Sequence, residues 1–208
     1  MRIGNVLICA VVFGGLASVM AAAQKVERIG TPPASLTNAV RLALEDKGYR
    51  VTLDGGWSAE FWFAKQLKTE TKDAPGALYP ELTNGEFVGV VSLTQAMTDY
   101  RGQSIAAGSY TLRYQMLPQD GNHLGVAPNP DFLLTVPAAS DSQPEQNLPY
   151  KKLVGLSAKS TGSNHPGVIA LESAEVAGSV VKAEREVVFS VAVDGKKLGI
   201  VVKGTAGE

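Results

Sequence analysis

Short apolar segments recur between turn signals from residue 49 to residue 202, and that rhythm constrains the fold more than any other feature of the chain. Tyr49, Val51 and Leu53 alternate with Arg50 and Thr52. Asp54-Gly55-Gly56 is a turn, and Trp57 to Phe63 follows as a second strand, so the two make a hairpin. Further strands are predicted over 86–93, 109–117, 131–136, 168–172, 179–183, 187–193 and 198–202. The last two flank Asp194-Gly195, a two-residue hairpin signal. Segments 65–79, 99–108 and 118–130 read as loops, and 138–152 is the most linker-like internal stretch.

One helix precedes these strands. Ser35 is its expected N-cap, and Leu36, Ala39, Val40, Ala43 and Leu44 form one apolar stripe. Lys47 suits the C-terminal dipole, and Gly48 suits a left-handed C′ position. Eight or nine short strands and one helix predict a mainly β fold: an antiparallel β-sandwich with an N-terminal amphipathic helix packed on it. A small β-barrel is the alternative closure.

The amino terminus has its own logic. Met1 to Asn5 carries Arg2, Val6 to Met20 is unbroken apolar sequence, and Ala21-Ala22-Ala23 precedes Gln24. That is the pattern of a secretory signal peptide over residues 1–23, cut after Ala23. Residues 24–34, with Pro32-Pro33, read as a linker, and 35–208 as a single β-sandwich domain. A protein so cleaved keeps 185 residues and a net charge of −2, since Arg2 is the one charge removed. Its Cys9 is removed too, so the exported chain has no thiol, and a hydrophobic core rather than disulfides must hold it. Thiol catalysis, iron–sulfur clusters and Cys-type zinc sites are excluded. The slight negative charge argues against nucleic acid, and no membrane span is expected after cleavage.

Catalytic signatures are sparse. The chain has no G-x-S-x-G elbow, H-E-x-x-H pair, P-loop, G-x-G-x-x-G or EF-hand loop. Ser179-Val180-Val181-Lys182 matches S-x-x-K but lies on an expected strand, whereas that chemistry needs a helix. Glu60, Glu81, Glu86, Asp99 and Asp131 sit at strands or their edges, and spacing does not separate them from solvated surface carboxylates.

One motif recurs. Asn122-His123-Leu124-Gly125-Val126 returns as Asn164-His165-Pro166-Gly167-Val168. As turn residues these explain themselves structurally. As a site, His123 and His165 would hold a divalent metal with Asp120, Asp131 or Asp99 completing the shell, if the two loops converge. No other cofactor is expected. An aromatic candidate comes from strand alternation, which puts Trp57, Phe61 and Phe63 on one face and Trp62 on the other beside Glu60. Trp62, with Tyr79 and Tyr100 in nearby loops, either forms a sugar-stacking platform or lies beneath the helix.

Several segments resemble a group of uncharacterised secreted bacterial β-sandwich-like proteins. They include Lys47-Gly48-Tyr49-Arg50-Val51, Asp99-Tyr100-Arg101-Gly102-Gln103-Ser104-Ile105 and Ala107-Gly108-Ser109-Tyr110-Thr111-Leu112-Arg113-Tyr114. Pro118-Gln119-Asp120-Gly121-Asn122-His123-Leu124-Gly125, Asp131-Phe132-Leu133-Leu134 and Leu156 to Gly162 belong to the same likeness. The resemblance implies export and no assigned activity, so it transfers no catalytic residues.

These readings lead to a secreted or periplasmic, non-enzymatic binding or accessory module, with a glycan or an envelope protein as partner and Asn122, His123, Asn164, His165, Trp62 and Tyr79 as candidate contacts. The alternatives are a metal-binding protein or metal-dependent enzyme built on His123 and His165, and a structural cell-envelope protein.

Overall fold

The computed structural model describes residues 24–118, 127–174, 176–182 and 186–203. The segment read as a signal peptide, and the loop that carries Asp120, Asn122 and His123, lie outside the described residues. The main strands are β1 (Lys25–Ile29), β2 (Gly48–Thr52), β3 (Ser58–Phe63), β4 (Phe87–Leu93), β7 (Gly108–Met116), β8 (Asp131–Pro137), β9 (Gly167–Glu172), β10 (Ser179–Lys182), β11 (Val187–Val193) and β12 (Lys196–Lys203). The short pair β5 (Met97–Thr98) and β6 (Ser104–Ile105) forms a separate two-stranded sheet. Helix α1 spans Asn38–Ala43 and helix α2 spans Tyr150–Thr161.

The fold is mainly β and antiparallel, as alternation and turn chemistry predict. The ten main strands make one sheet in the order β1-β2-β3-β4-β7-β8-β9-β12-β11-β10. The sheet curls until its two ends, β1 and β10, come into contact, so the architecture is a nearly closed barrel. Side chains show the curl directly. Phe61 and Phe63 on β3 meet Phe189 on β11, with ring centroids 5.4 and 6.2 Å apart, although these strands are far apart in the sheet order. Tyr49 joins them at 5.5 Å from Phe189. Aromatic rings therefore fill the interior.

The hairpins follow their turn residues. Gly55 and Gly56 both take positive φ between β2 and β3, and Asp194 (φ 46°) and Gly195 (φ 75°) do so between β11 and β12. The chain pairs in sequence up to β9, whose next neighbour is β12 rather than β10. That junction has a short register, Gly199↔Glu172 and Ile200↔Leu171. The Tyr79 hydroxyl reinforces it, donating to Glu172 O at 2.7 Å and accepting from Gly199 N at 2.8 Å. A Cβ at Gly199 would lie 2.4 Å from Glu172 O, so only glycine permits this approach.

Three local expectations are corrected. The stretch read as linker contributes β1, which pairs along its length with β2. Its KVERI sequence gives little apolar signal because the strand stands at the edge of the sheet. Helix α1 begins later and ends earlier than its stripe suggests. Thr37 rather than Ser35 is the N-cap, accepting from Val40 N, and Leu44 already forms a bridge with Ala64. Gly48 is not a helix cap: it starts β2, where a Cβ would lie 2.6 Å from Trp62 Nε1.

Helix α2 has no counterpart among the elements expected from sequence. It covers the outer face of β8 and β9, where Leu153 packs with Phe132, Leu134, Val136 and Val168. Two of its buried positions are serines, Ser157 and Ser160, so the helix lacks a full apolar stripe. Ser157 Oγ accepts from Gly167 N at 3.1 Å, and Ser160 Oγ lies 2.8 Å from Thr135 Oγ1. Cover on both faces explains why Asp131 to Val136 reads as continuous apolar sequence.

Replacing Tyr79 with Phe removes the hydroxyl between β9 and β12 and leaves two backbone groups without their partner. The expected loss of stability in urea denaturation is about 1–3 kcal/mol, with faster amide exchange at Gly199. An unchanged midpoint and unchanged exchange would show that the junction does not rely on the phenol.

Candidate functional site

One mouth of the barrel gathers the end of β3, the start of β4, the β11–β12 turn and helix α1. A cleft of about 760 Å³ opens there. Its aliphatic side comes from Ala39, Leu42 and Ala43 of α1, and its polar side from Lys65, Gln66 and Glu86. Pro144 and Glu145 form a further wall. The α1 stripe divides between two roles. Leu36, Val40 and Leu44 are buried in the cluster that includes Trp62 and Val90. Ala39 and Ala43 instead line the cleft, beside Leu42, which is 66% exposed.

Glu86 is the unusual group in this cleft. It is 3% exposed. One carboxyl oxygen, Oε1, accepts from Lys68 N at 2.9 Å, and the other, Oε2, finds no hydrogen-bond partner among the described residues. Burial raises this carboxyl above the ordinary range, while the Lys68 N–H and the charges of Lys68 and Arg113 pull it back only in part. A buried polar atom without a partner is uncommon in native proteins, and a perturbed carboxyl in a cleft marks a candidate functional site.

The cleft walls are built by hydrogen bonds. Leu67 N donates to Asp194 Oδ2 at 3.0 Å, tying the chain beyond β3 to the β11–β12 turn. The Lys68 ammonium donates to Glu145 O and to Asn147 Oδ1. The 141–148 segment is anchored from below by Arg113 on the outer face of β7. Its guanidinium grips Asp141 through Nε and Nη2 at 2.8 and 2.7 Å and also donates to the carbonyls of Gly85, Gln143 and Gln146. Gly85 takes φ +78° and approaches Leu148 so closely that a Cβ would lie 2.6 Å from its carbonyl oxygen.

The residues singled out from sequence fall in several places. Trp62 is 3% exposed and donates its indole N–H to Gly30 O at 2.8 Å, so it offers no open face for a sugar. Its neighbour Glu60 pairs with Arg50 across the β2–β3 ladder. Tyr79 is the buried bolt described above, and Tyr100 packs against Ala170, Val188 and Val201. Glu81 pairs with Lys196 at 3.0 Å. Asp131 is fully buried, accepting from Leu78 N, Tyr79 N and the Tyr114 hydroxyl. Burial and the neighbouring Asp131 push the Tyr114 phenol far up, which keeps it a donor. Asp99 accepts from Arg101 N, Gln103 N and Gln103 Nε2, organising the turn between β5 and β6.

A shared ion between Asp131 and His165 is excluded by the sheet. Asp131 faces the inner side with Tyr114, whereas His165 and Asn164 line a smaller pocket with Phe132 and Leu134 on the outer side. Alternation sends those side chains to opposite faces. Among the described residues, no three His, Cys, Asp or Glu side chains cluster to hold a metal. His123, Asn122 and Asp120 lie outside those residues. From spacing alone Glu86 is one carboxylate among several; its singularity comes from burial, which spacing does not encode.

Comparison with protein-family models, curated proteins and solved structures found no match.

The Glu86 carboxyl gives a pH signature. Its folded-state value lies above the ordinary one, so its contribution to stability is full in acid and is lost as pH rises through the raised value. Glu86→Gln keeps an acceptor for Lys68 N–H and cannot ionise. Urea denaturation from about pH 4 to pH 8 is expected to show a decline with pH that is smaller in Glu86→Gln than in the parent. Parallel profiles would contradict the assignment.

Proposed function

We propose that the protein is a non-enzymatic binding module that acts outside the cytoplasm and holds a segment of an envelope protein in the cleft beside Glu86. The observation that carries this reading is the buried, half-satisfied Glu86 carboxyl lining a cleft of about 760 Å³. Ligand sites are typically concave, mostly apolar, and fitted with a few convergent polar groups. Here Ala39, Leu42 and Ala43 supply an aliphatic wall, and Glu86 with the rim residues Lys65 and Gln66 supplies the polar contacts. An aliphatic wall favours a peptide over a glycan, since Trp62, the ring suited to stacking on a sugar, is buried. Export is supported by the amino-terminal sequence pattern and the resemblance to secreted bacterial proteins.

The test is selection of random dodecapeptides on the immobilised protein, followed by affinity measurement. Leu42 is largely exposed, so Leu42→Glu leaves the core intact while placing a charge on the aliphatic wall. Enriched peptides are expected to lose at least about ten-fold in affinity against Leu42→Glu, a change of about 1.4 kcal/mol. No enrichment, or equal affinity for both proteins, would overturn the reading.

A further inference from the structure

The Asn164-His165 turn borders a second pocket, on the outer flank of the barrel beside α2 and separate from the Glu86 cleft. It encloses about 240 Å³. Phe132, Leu134 and Val154 make its apolar lining, and Arg101, Asn164 and His165 its polar lining.

Arg101 is held in place but not fully used. Its Nη2 donates to Pro166 O at 2.7 Å and lies 4.0 Å from the Asp99 carboxylate. Its Nε–H is buried and has no partner among the described residues. Asp99 does not supply one, because its oxygens already accept from Arg101 N, Gln103 N, Gln103 Nε2 and Val168 N. A buried donor without an acceptor is costly, and a guanidinium is shaped to meet carboxylate oxygens in pairs.

The His165 backbone is committed to its own turn. Its N–H donates to Ser163 Oγ at 3.0 Å, and its carbonyl accepts from Thr161 Oγ1 at 2.7 Å. The turn therefore fixes the His165 backbone, and the side chain lines the pocket's edge beside Asn164. A pocket of 240 Å³ falls below the usual range for drug-sized ligands, so its occupant is small.

We propose that this pocket binds a small organic acid, with the carboxylate at Arg101 and His165 and a short apolar tail against Phe132, Leu134 and Val154. Asp99 offsets part of the Arg101 charge, so recognition depends on the tail as well as on the carboxylate.

The test titrates the purified protein with sodium butyrate, and separately with n-butanol, which has the same tail and no charge. The readouts are the Arg101 Nε–H resonance and the His165 ring resonances in NMR spectra, assigned by their loss in Arg101→Lys and His165→Gln. Butyrate is expected to shift both saturably, and butanol to leave the Arg101 resonance in place. Val154→Phe fills the apolar end, and Arg101→Lys removes the forked donor; each is expected to weaken butyrate at least about ten-fold, with the unfolding midpoint checked alongside. Using both variants keeps the test decisive if one fails to fold. Non-saturable shifts, equal responses to butyrate and butanol, or undiminished affinity in a folded variant would overturn the proposal.

Discussion

Arg113 stands in the middle of β7 with no exposed surface, and the outer layer of the protein is organised around it. A guanidinium buried in this way needs an acceptor for each of its five N–H groups. Asp141 takes two of them as a forked pair, and the carbonyls of Gly85, Pro144, Gln143 and Gln146 meet the others. Thr111, two residues earlier on the same face, adds a bond to Asp141 Oδ2 at 2.6 Å. One side chain thus fastens a loop without regular structure to the barrel wall. The same grip reaches Gly85, the residue before Glu86, and Pro144, which lines the cleft. The cleft therefore inherits its shape from a buried ion pair behind one of its walls.

Barrel closure explains why the cleft is at the mouth. Aromatic side chains from β2, β3 and β11 meet in the interior, leaving the lumen packed. The concave surface that remains is made where chain segments leave the strands: beyond β3, before β4 and at the β11–β12 turn. There Asp194 and Lys68 lock neighbouring segments together, while α1 turns three of its apolar residues toward open space. The smaller pocket arises similarly on the outer flank, between a strand face covered by α2 and the turn that follows that helix.

Much of the sheet was legible because its strands obey local rules. Asp54-Gly55-Gly56 and Asp194-Gly195 turn where positive φ is required, and the segment 109–117 alternates because one face of β7 enters the core. Legibility ended where tertiary contacts replaced local ones. Helix α2 packs through Ser157 and Ser160 against Gly167, so hydroxyl bonds and close approach substitute for an apolar stripe. Strand β1 lies at the sheet edge and carries charges. In the candidate site, Trp62 was visible as an aromatic facing away from Phe61, but its burial depends on Gly30 and Gly48, which come from other strands and turns. Glu86 was visible only as a carboxylate at a strand edge, since its isolation comes from neighbours distant in sequence.

The Arg113–Asp141 pair holds the cleft wall. The direct measurement is a double-mutant cycle with Arg113→Met and Asp141→Leu, read by denaturation and by amide exchange across residues 143–148. Each single change strands a buried charge and is expected to cost about 3–5 kcal/mol, with the double variant recovering a large part of that loss. Exchange across 143–148 is expected to quicken in Arg113→Met and in the double variant, because the carbonyl grip is gone even where the charge is balanced. Additive energies with unchanged exchange would show that the wall stands without the pair, and would contradict the account.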